Sequence, residues 1–111
     1  MSESPLIEDR CRPLRGAEHR LDAPQIIALL KQLDGWEIVN ERLHREFRFA
    51  DYKSTLLFVN AVAWLAEREN HHPDLEVGYS RVMVAYSTHD VGGLSRNDFI
   101  CAAKIEALTS L

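Results

Sequence analysis

Apolar positions along this chain of 111 residues recur first with a helical period. Asp22 is a helix-capping residue followed by Pro24 and Gln25, and the apolar side chains after it share one helical face: Ile26, Leu29, Leu30 and Leu33. Gly35 ends this predicted helix. Residues 1–21 lack any period and mix charges with prolines, which predicts a loosely ordered lead-in before a domain over residues 22–111.

Two later stretches have the period of two that indicates β-strands. In the first, Trp36–Val39 and Leu43–Phe49 form a predicted hairpin that turns at Asn40 and Glu41. In the second, apolar residues alternate on both sides of a turn near residues 78–81: Leu75, Val77 and Tyr79 precede it, and Val82, Val84 and Tyr86 follow it. The sequence therefore predicts two hairpins.

A long apolar helix separates the hairpins, and another helix follows them. Asp51 can cap the first, which must end before Pro73 because a residue that precedes proline disfavours helical geometry. Leu94, Ser95 and Asp98 supply an apolar lead, an N-cap and a first-turn acid for the second. The order αββαββα predicts an α+β domain, a four-stranded antiparallel sheet with three helices packed on one face.

Composition excludes several classes of function. A formal net charge of −4 and no block of Lys or Arg argue against nucleic-acid binding. Cys11 and Cys101 lie 90 positions apart and predict neither a zinc knuckle nor a disulfide framework. No segment has the apolar run of a signal peptide or a membrane span, so we expect a cytoplasmic protein that does not bind membranes.

Titratable side chains crowd the stretch from Glu67 to Asp98, which contains three of the five histidines: His71, His72 and His89. If the second hairpin turns at Tyr79 and Ser80, the residue numbers of cross-strand partners sum to 159 or 160. His71 is then opposite Thr88 or His89, and Glu67 and Asp98 lie near the same end of the sheet. Because histidine titrates near neutrality, this crowding indicates proton transfer or metal binding.

Each of these residues also has an ordinary structural explanation. His71 and His72 can form a polar helix exit, and His89 can be a strand-end residue bonded to backbone. Asp98 fits a helix cap, and Glu67 fits a solvated helix acid. A functional explanation for all five residues together is stronger than one for any single residue, since unrelated structural needs seldom bring five titratable groups to one place. His19 and His44 have no partners in the pattern and are predicted to be surface residues.

The spacing of these residues resembles that of the pterin-4a-carbinolamine dehydratases, in particular the bacterial branch. The matching positions are Glu67, His71-His72-Pro73, Tyr79, His89 and Asp98, together with Asp34-Gly35-Trp36, Phe47–Asp51 and the THDVGGLS segment. The resemblance extends from about Ala23 to Leu108. It implies an αββαββα fold that forms homodimers or homotetramers. One departure is Asn70, where some members have Asp.

The resemblance also implies a reaction, the loss of water from a 4a-hydroxytetrahydropterin to give the quinonoid dihydropterin, which aromatic amino acid hydroxylases reuse after reduction. No metal or organic cofactor is implied. General acid–base groups with pKa values near 7 suit that chemistry. By position, His71, His72 and His89 resemble the catalytic histidines, Glu67 and Asp98 the carboxylates that orient them, and Asn70, Ser87, Thr88 and Asp90 the residues that hold the pterin.

Two other functions remain open at this point. One is a dimerisation or interaction module without an essential catalytic role, because animal relatives also stabilise dimers of a transcription factor. The other is a metal site of histidines and carboxylates. Adjacent histidines such as His71 and His72 suit one metal poorly, since neighbouring side chains diverge on both helices and strands.

Overall fold

The computed structural model describes residues 5–109, and its elements follow the predicted order αββαββα. Three short 3₁₀ helices supplement them, at Leu6–Glu8, Ala17–His19 and His89–Val91. The helices are α1 (Ala23–Leu30), α2 (Tyr52–Glu69) and α3 (Arg96–Leu108), and the strands are β1 (Glu37–Val39), β2 (Arg42–Arg48), β3 (Asp74–Val77) and β4 (Arg81–Tyr86). The predicted α+β class is confirmed.

The four strands form one antiparallel sheet in the order β1-β2-β4-β3. Both hairpins turn where the sequence predicted. Asn40 and Glu41 have φ angles of 51° and 62°, the left-handed geometry of a tight two-residue hairpin turn. Leu75 pairs with Val84, which is the predicted register and brings the residue after β4 towards the end of α2.

One face of the sheet carries the core. Side chains that alternate along β2 and β4 are almost completely buried beneath the three helices: Leu43, Phe47, Val82, Val84 and Tyr86. The opposite face carries polar residues such as His44, Glu46 and Arg48. No helix within residues 5–109 is long and apolar enough to cross a bilayer.

Local interactions at the helix ends fix where the site residues lie. α1 is shorter than predicted, because it ends at Leu30 and gives way to turns that continue to Leu33. α2 ends at Glu69 and is capped by Asn70, whose φ of 52° is left-handed, and the His71 amide then donates to the Ala66 carbonyl at 3.1 Å. α3 begins with the predicted capping box of Ser95 and Asp98.

Residues 5–21, which belong to the predicted lead-in, contact the rest of the fold at several points, although most of their side chains are exposed. Leu6 is 1% exposed and belongs to the core. Farther along, the Gly16 amide donates to the Asp90 carbonyl at 3.0 Å, and the Leu21 amide donates to the Leu94 carbonyl at 2.8 Å. One buried leucine and backbone hydrogen bonds to residues distant in sequence leave no periodic pattern. Residues 1–4 of the predicted lead-in lie outside the described range.

Candidate active site

The centre of the site is a pair of side chains, one from each of two helix termini. His71 follows the left-handed residue that ends α2, and Asp98 lies in the first turn of α3. The His71 Nε2 atom donates to Asp98 Oδ1 at 2.6 Å, and the two side chains are 13% and 0% exposed. Since a carboxylate only accepts, this bond assigns a proton to Nε2 and makes Nδ1 the other exchangeable position.

The second oxygen of Asp98 is held by the protein. Oδ2 accepts from Thr88 Oγ1 at 2.8 Å and from the Ser95 amide at 2.9 Å. The Thr88 and Ser95 hydroxyls are 2.7 Å apart, and because Thr88 uses its proton on Asp98, Ser95 is the donor between them. Asp98 therefore both caps α3 and orients His71, so the two explanations of this residue apply together.

Tyr86 supports the imidazole from one side. Its ring stacks on that of His71 with a centroid distance of 5.3 Å and an interplanar angle of 13°. Burial and the neighbouring Cys101 thiol raise the pKa of Tyr86 well above its usual range, so the phenol stays protonated near neutral pH. Tyr86 thus fixes the plane of the His71 ring without adding another titrating group.

A second histidine–carboxylate pair lies nearer to solvent. His72 Nε2 donates to Glu67 Oε2 at 2.6 Å, and the side chains are 53% and 78% exposed. Glu67 lies on the last turn of α2. Water competes for both groups in this pair, so its geometry is less constrained than that of His71 and Asp98.

The segment after β4 alternates between exposed and buried residues. Ser87, His89 and Asp90 are exposed, and His89 begins the last 3₁₀ helix. Thr88 is 7% exposed, and its hydroxyl is bonded inward to Asp98. The structure records no side-chain hydrogen bond between His89 and another described residue, and its link to the pair is its position next to Thr88 in the chain.

Asn70 contributes its backbone conformation. It is exposed at the end of α2, and its φ of 52° lies in the region that Asn and Gly tolerate best. The turn that it makes allows the chain to leave α2 and present His71 and His72 in succession. The carboxamide has no recorded bond among the described residues.

Four residues near the pair were not singled out by the sequence as functional: Tyr86, Ser95, Glu69 and Asn97. Tyr86 had been predicted as a strand aromatic and Ser95 as a cap. The spacing supplied a signal for Tyr86, because residues two positions apart in a strand share a face and Tyr86 lies two positions before Thr88. Glu69 and Asn97 are buried polar residues whose partners come from the first twelve residues, which no local pattern reveals.

A groove elsewhere on the described surface lacks this chemistry. This groove of about 670 Å³ between β2, α2 and the end of α3 is lined by arginines and phenylalanines and includes none of the histidines. Within residues 5–109, no group of three or more His, Cys, Asp and Glu side chains is arranged to hold a metal ion.

Comparison with known proteins identifies close sequence relatives. A family model described as "Pterin 4 alpha carbinolamine dehydratase" matches residues 19–108. A protein of Stenotrophomonas maltophilia is 56% identical over 107 residues, which cover 95% of this chain and 92% of the relative. A protein of Xanthomonas campestris pv. campestris is 57% identical over 106 residues, which cover 94% and 90%. Both are named "Putative pterin-4-alpha-carbinolamine dehydratase".

Two solved structures are also similar. One is a transcriptional coactivator/pterin dehydratase from Brucella melitensis, 34% identical with a TM-score of 0.77, and the match covers 80% of this chain and 97% of that one. The other is a pterin dehydratase-like protein identified as a RuBisCO assembly factor in the alpha-carboxysome. It is 26% identical with a TM-score of 0.59, over 68% of this chain and 89% of that one.

Proposed function

Because the chain belongs to the pterin-4a-carbinolamine dehydratase family, we propose that its histidine–carboxylate pairs catalyse the dehydration by proton transfer. The observation that carries this proposal is the 2.6 Å bond between His71 and the fully buried Asp98. Because Asp98 accepts from Nε2, it fixes the orientation of the ring and leaves Nδ1 as the nitrogen that can take up and release a proton during one turnover.

The chemistry is an elimination of water. A proton is added to the 4a-hydroxyl of the 4a-hydroxytetrahydropterin, the bond from C4a to that oxygen breaks, and a proton leaves N5 as the C4a–N5 double bond forms. The products are water and the quinonoid dihydropterin. His71, His72 and His89 are the proposed proton carriers. Positioned acid–base groups contribute about 10² to 10⁴ in rate to such a reaction.

The remaining residues have supporting roles in this proposal. Glu67 and Asp98 orient His72 and His71, respectively. Ser87, Asp90 and Asn70 are exposed around the pairs and are the proposed contacts for the pterin ring. Thr88 lies in the same segment, but its hydroxyl is committed to Asp98. Its amide donates to the Gly93 carbonyl at 2.8 Å and its carbonyl accepts from the Val91 amide at 3.1 Å, so we propose that Thr88 shapes the pterin site through this loop rather than by a direct hydrogen bond.

The test is turnover of chemically generated 4a-hydroxytetrahydropterin, measured against its spontaneous dehydration. Wild type is expected to exceed the spontaneous rate, and the His71→Ala and His72→Ala variants are expected to lose most of that excess. His44→Ala is the matched control, since His44 lies on the polar face of the sheet. Wild-type turnover at the spontaneous rate would refute the proposal.

In cells, the dehydratase is proposed to recycle the pterin of an aromatic amino acid hydroxylase, and deletion of the gene should then slow hydroxylase-dependent growth. We also propose that the chain forms a homodimer or homotetramer. Strands β1 and β3 are the two edges of the sheet, and edge strands carry unpaired backbone groups through which a second copy can add. Light scattering on the purified protein gives the oligomeric state.

A second candidate function is binding of another protein, which the coactivator and assembly-factor relatives suggest. The observation that favours it is exposed apolar surface on and beside α2, where Leu57, Trp64 and Tyr79 are 59%, 64% and 72% exposed. A specific partner retained by the inactive His71→Ala variant but not by Trp64→Ser would support this function. If no such partner is found, the dehydratase activity is the only supported role.

A further inference from the structure

Two buried polar residues flank the catalytic pair in sequence, and both hold the same short segment near the N-terminus. Glu69 lies two residues before His71, at the last position of α2. Its side chain is 1% exposed, and its carboxylate accepts from the Cys11 amide and from Arg10 Nε, each at 2.9 Å. A buried acid at a helix C-terminus is unfavourable by itself. The hydrogen bonds from the Cys11 amide and Arg10 Nε offset the cost of burying the Glu69 carboxylate.

Asn97 directly precedes Asp98 and is 6% exposed. Its Oδ1 atom accepts from the Arg12 amide at 3.1 Å, and its Nδ2 atom donates to the Arg12 carbonyl at 2.6 Å. One side chain thereby satisfies both backbone groups of one residue, as a neighbouring strand would do. The Cys11 sulfur lies between these attachments, 3.5 Å from the sulfur of Cys101.

A third attachment joins the same segment to the start of α3. Asp9 accepts from Arg96 Nε at 2.8 Å, and Arg96 is the first residue of that helix. The hydrogen bond from Arg96, helped by the Arg10 amide, holds the pKa of Asp9 below its usual range. The Asp9 carboxylate is therefore charged at neutral pH. Each of the four consecutive residues 9–12 thus has a contact at the end of α2 or on α3.

We propose that residues 9–12, which we call the strap, are a positioning element of the dehydratase site because they tie the end of α2 to the start of α3. His71 comes from the first of these helix termini and Asp98 from the second, so the strap sets the distance between them. An error of about 1 Å in such a distance can cost about 10² in rate. The strap lies outside the family match, which begins at residue 19. This inference rests on the proposed function.

The test compares variants that release the strap with one that destabilises the fold elsewhere. Asn97→Ala removes both bonds to Arg12, and Glu69→Leu removes the acceptors for Arg10 and Cys11. Glu69→Gln is the conservative variant, because its amide oxygen can still accept from the Cys11 amide. Leu29→Ala is the control, since Leu29 is a buried core residue of α1.

The strap variants are expected to lower kcat about tenfold or more while KM changes less than twofold, and to shift the pH profile of kcat. Glu69→Gln should restore most of the kcat lost in Glu69→Leu. Leu29→Ala should lower the unfolding midpoint without changing the pH profile. If folded Asn97→Ala and Glu69→Leu proteins keep wild-type kcat and pH profile, the strap has no positioning role.

An NMR measurement separates this inference from the proposed function. The ¹⁵N shift of His71 Nε2 reports its hydrogen bond to Asp98 whether or not the protein dehydrates a pterin. A change in that shift in Asn97→Ala, with the His44 signals unchanged, supports the strap even if wild type has no dehydratase activity. An active wild type whose His71 shift is the same in Asn97→Ala and Glu69→Leu overturns the strap and leaves the function standing.

Discussion

Replacing Asp98 with Asn tests whether this residue acts through its charge or only as a helix cap. The carboxylate accepts three hydrogen bonds in the wild type, one from His71 on Oδ1 and two from Thr88 and Ser95 on Oδ2. The carboxamide of the variant has one oxygen and one donor group. The oxygen should turn towards Thr88 and Ser95, which are two donors, and leave the amide nitrogen facing His71 Nε2.

The variant amide then forces His71 into the other tautomer, with Nε2 as acceptor and the proton on Nδ1. Loss of the charge-assisted bond to a buried group should cost about 1.5–3 kcal/mol of unfolding free energy. Loss of correctly oriented acid–base catalysis should lower kcat by about 10² to 10⁴. The dehydration assay measures the second quantity, and urea unfolding measures the first.

The matched control is Ser95→Ala, which removes the capping hydroxyl but keeps the Asp98 carboxylate and the Ser95 amide. It should cost about 1 kcal/mol of stability, as lost caps do, and change kcat only a few-fold. If Asp98→Asn keeps kcat within threefold of wild type, or if Ser95→Ala lowers kcat equally, then Asp98 is a cap and the account of the pair is wrong.

Three further predictions follow from the geometry around the site. Glu67→Gln should leave the unfolding midpoint unchanged, because an exposed pair such as Glu67 and His72 contributes about 0–1 kcal/mol to stability. It should also lower kcat less than Asp98→Asn does, and an equal loss of kcat would contradict this ranking. Asn70→Ala should lower the unfolding free energy, measured in urea, by about 1 kcal/mol because the φ of residue 70 is 52°. Asn70→Gly should lower it much less, and equal losses would show that the left-handed conformation is not the cause. The pKa of Asp9 is lowered in the fold by Arg96, so its charge stabilises the protein above the unfolded-state pKa near 3.8, and that stabilisation is lost as the pH falls through the lower folded value. Unfolding midpoints of wild type and Asp9→Asn should therefore separate as the pH rises above 3.8 and converge as the pH falls below it, and a constant difference would contradict the assignment.

The period of the apolar residues predicted most of the fold because the core lies on one face of the sheet. Leu43, Phe47, Val82 and Val84 alternate with polar residues, and a shift of one position would turn them all to solvent. The hairpin register followed from the turn at residues 78–81, and it brought Thr88 and His71 to the same end. The helix α1 was predicted too long because Leu33 continues the apolar face after the helix has ended.

Direct partners within the site were less predictable. Spacing suggested that His71 faces Thr88 or His89, whereas the structure joins His71 and Thr88 through the two oxygens of Asp98. Which oxygen meets which donor depends on the angle between α2 and α3, and sequence spacing does not contain that angle. The strap was missed for a related reason, since its bonds join residues at least 58 positions apart, from Cys11 to Glu69.

The central claim is that His71, His72 and His89 all belong to the surface that binds a pterin. Its most direct test is an NMR titration of the five imidazole rings with a stable 7,8-dihydropterin. The account predicts that signals of His71, His72 and His89 move with a single binding curve, while those of His19 and His44 remain in place. Movement of His19 or His44 with no change at His71 and His72 would contradict it.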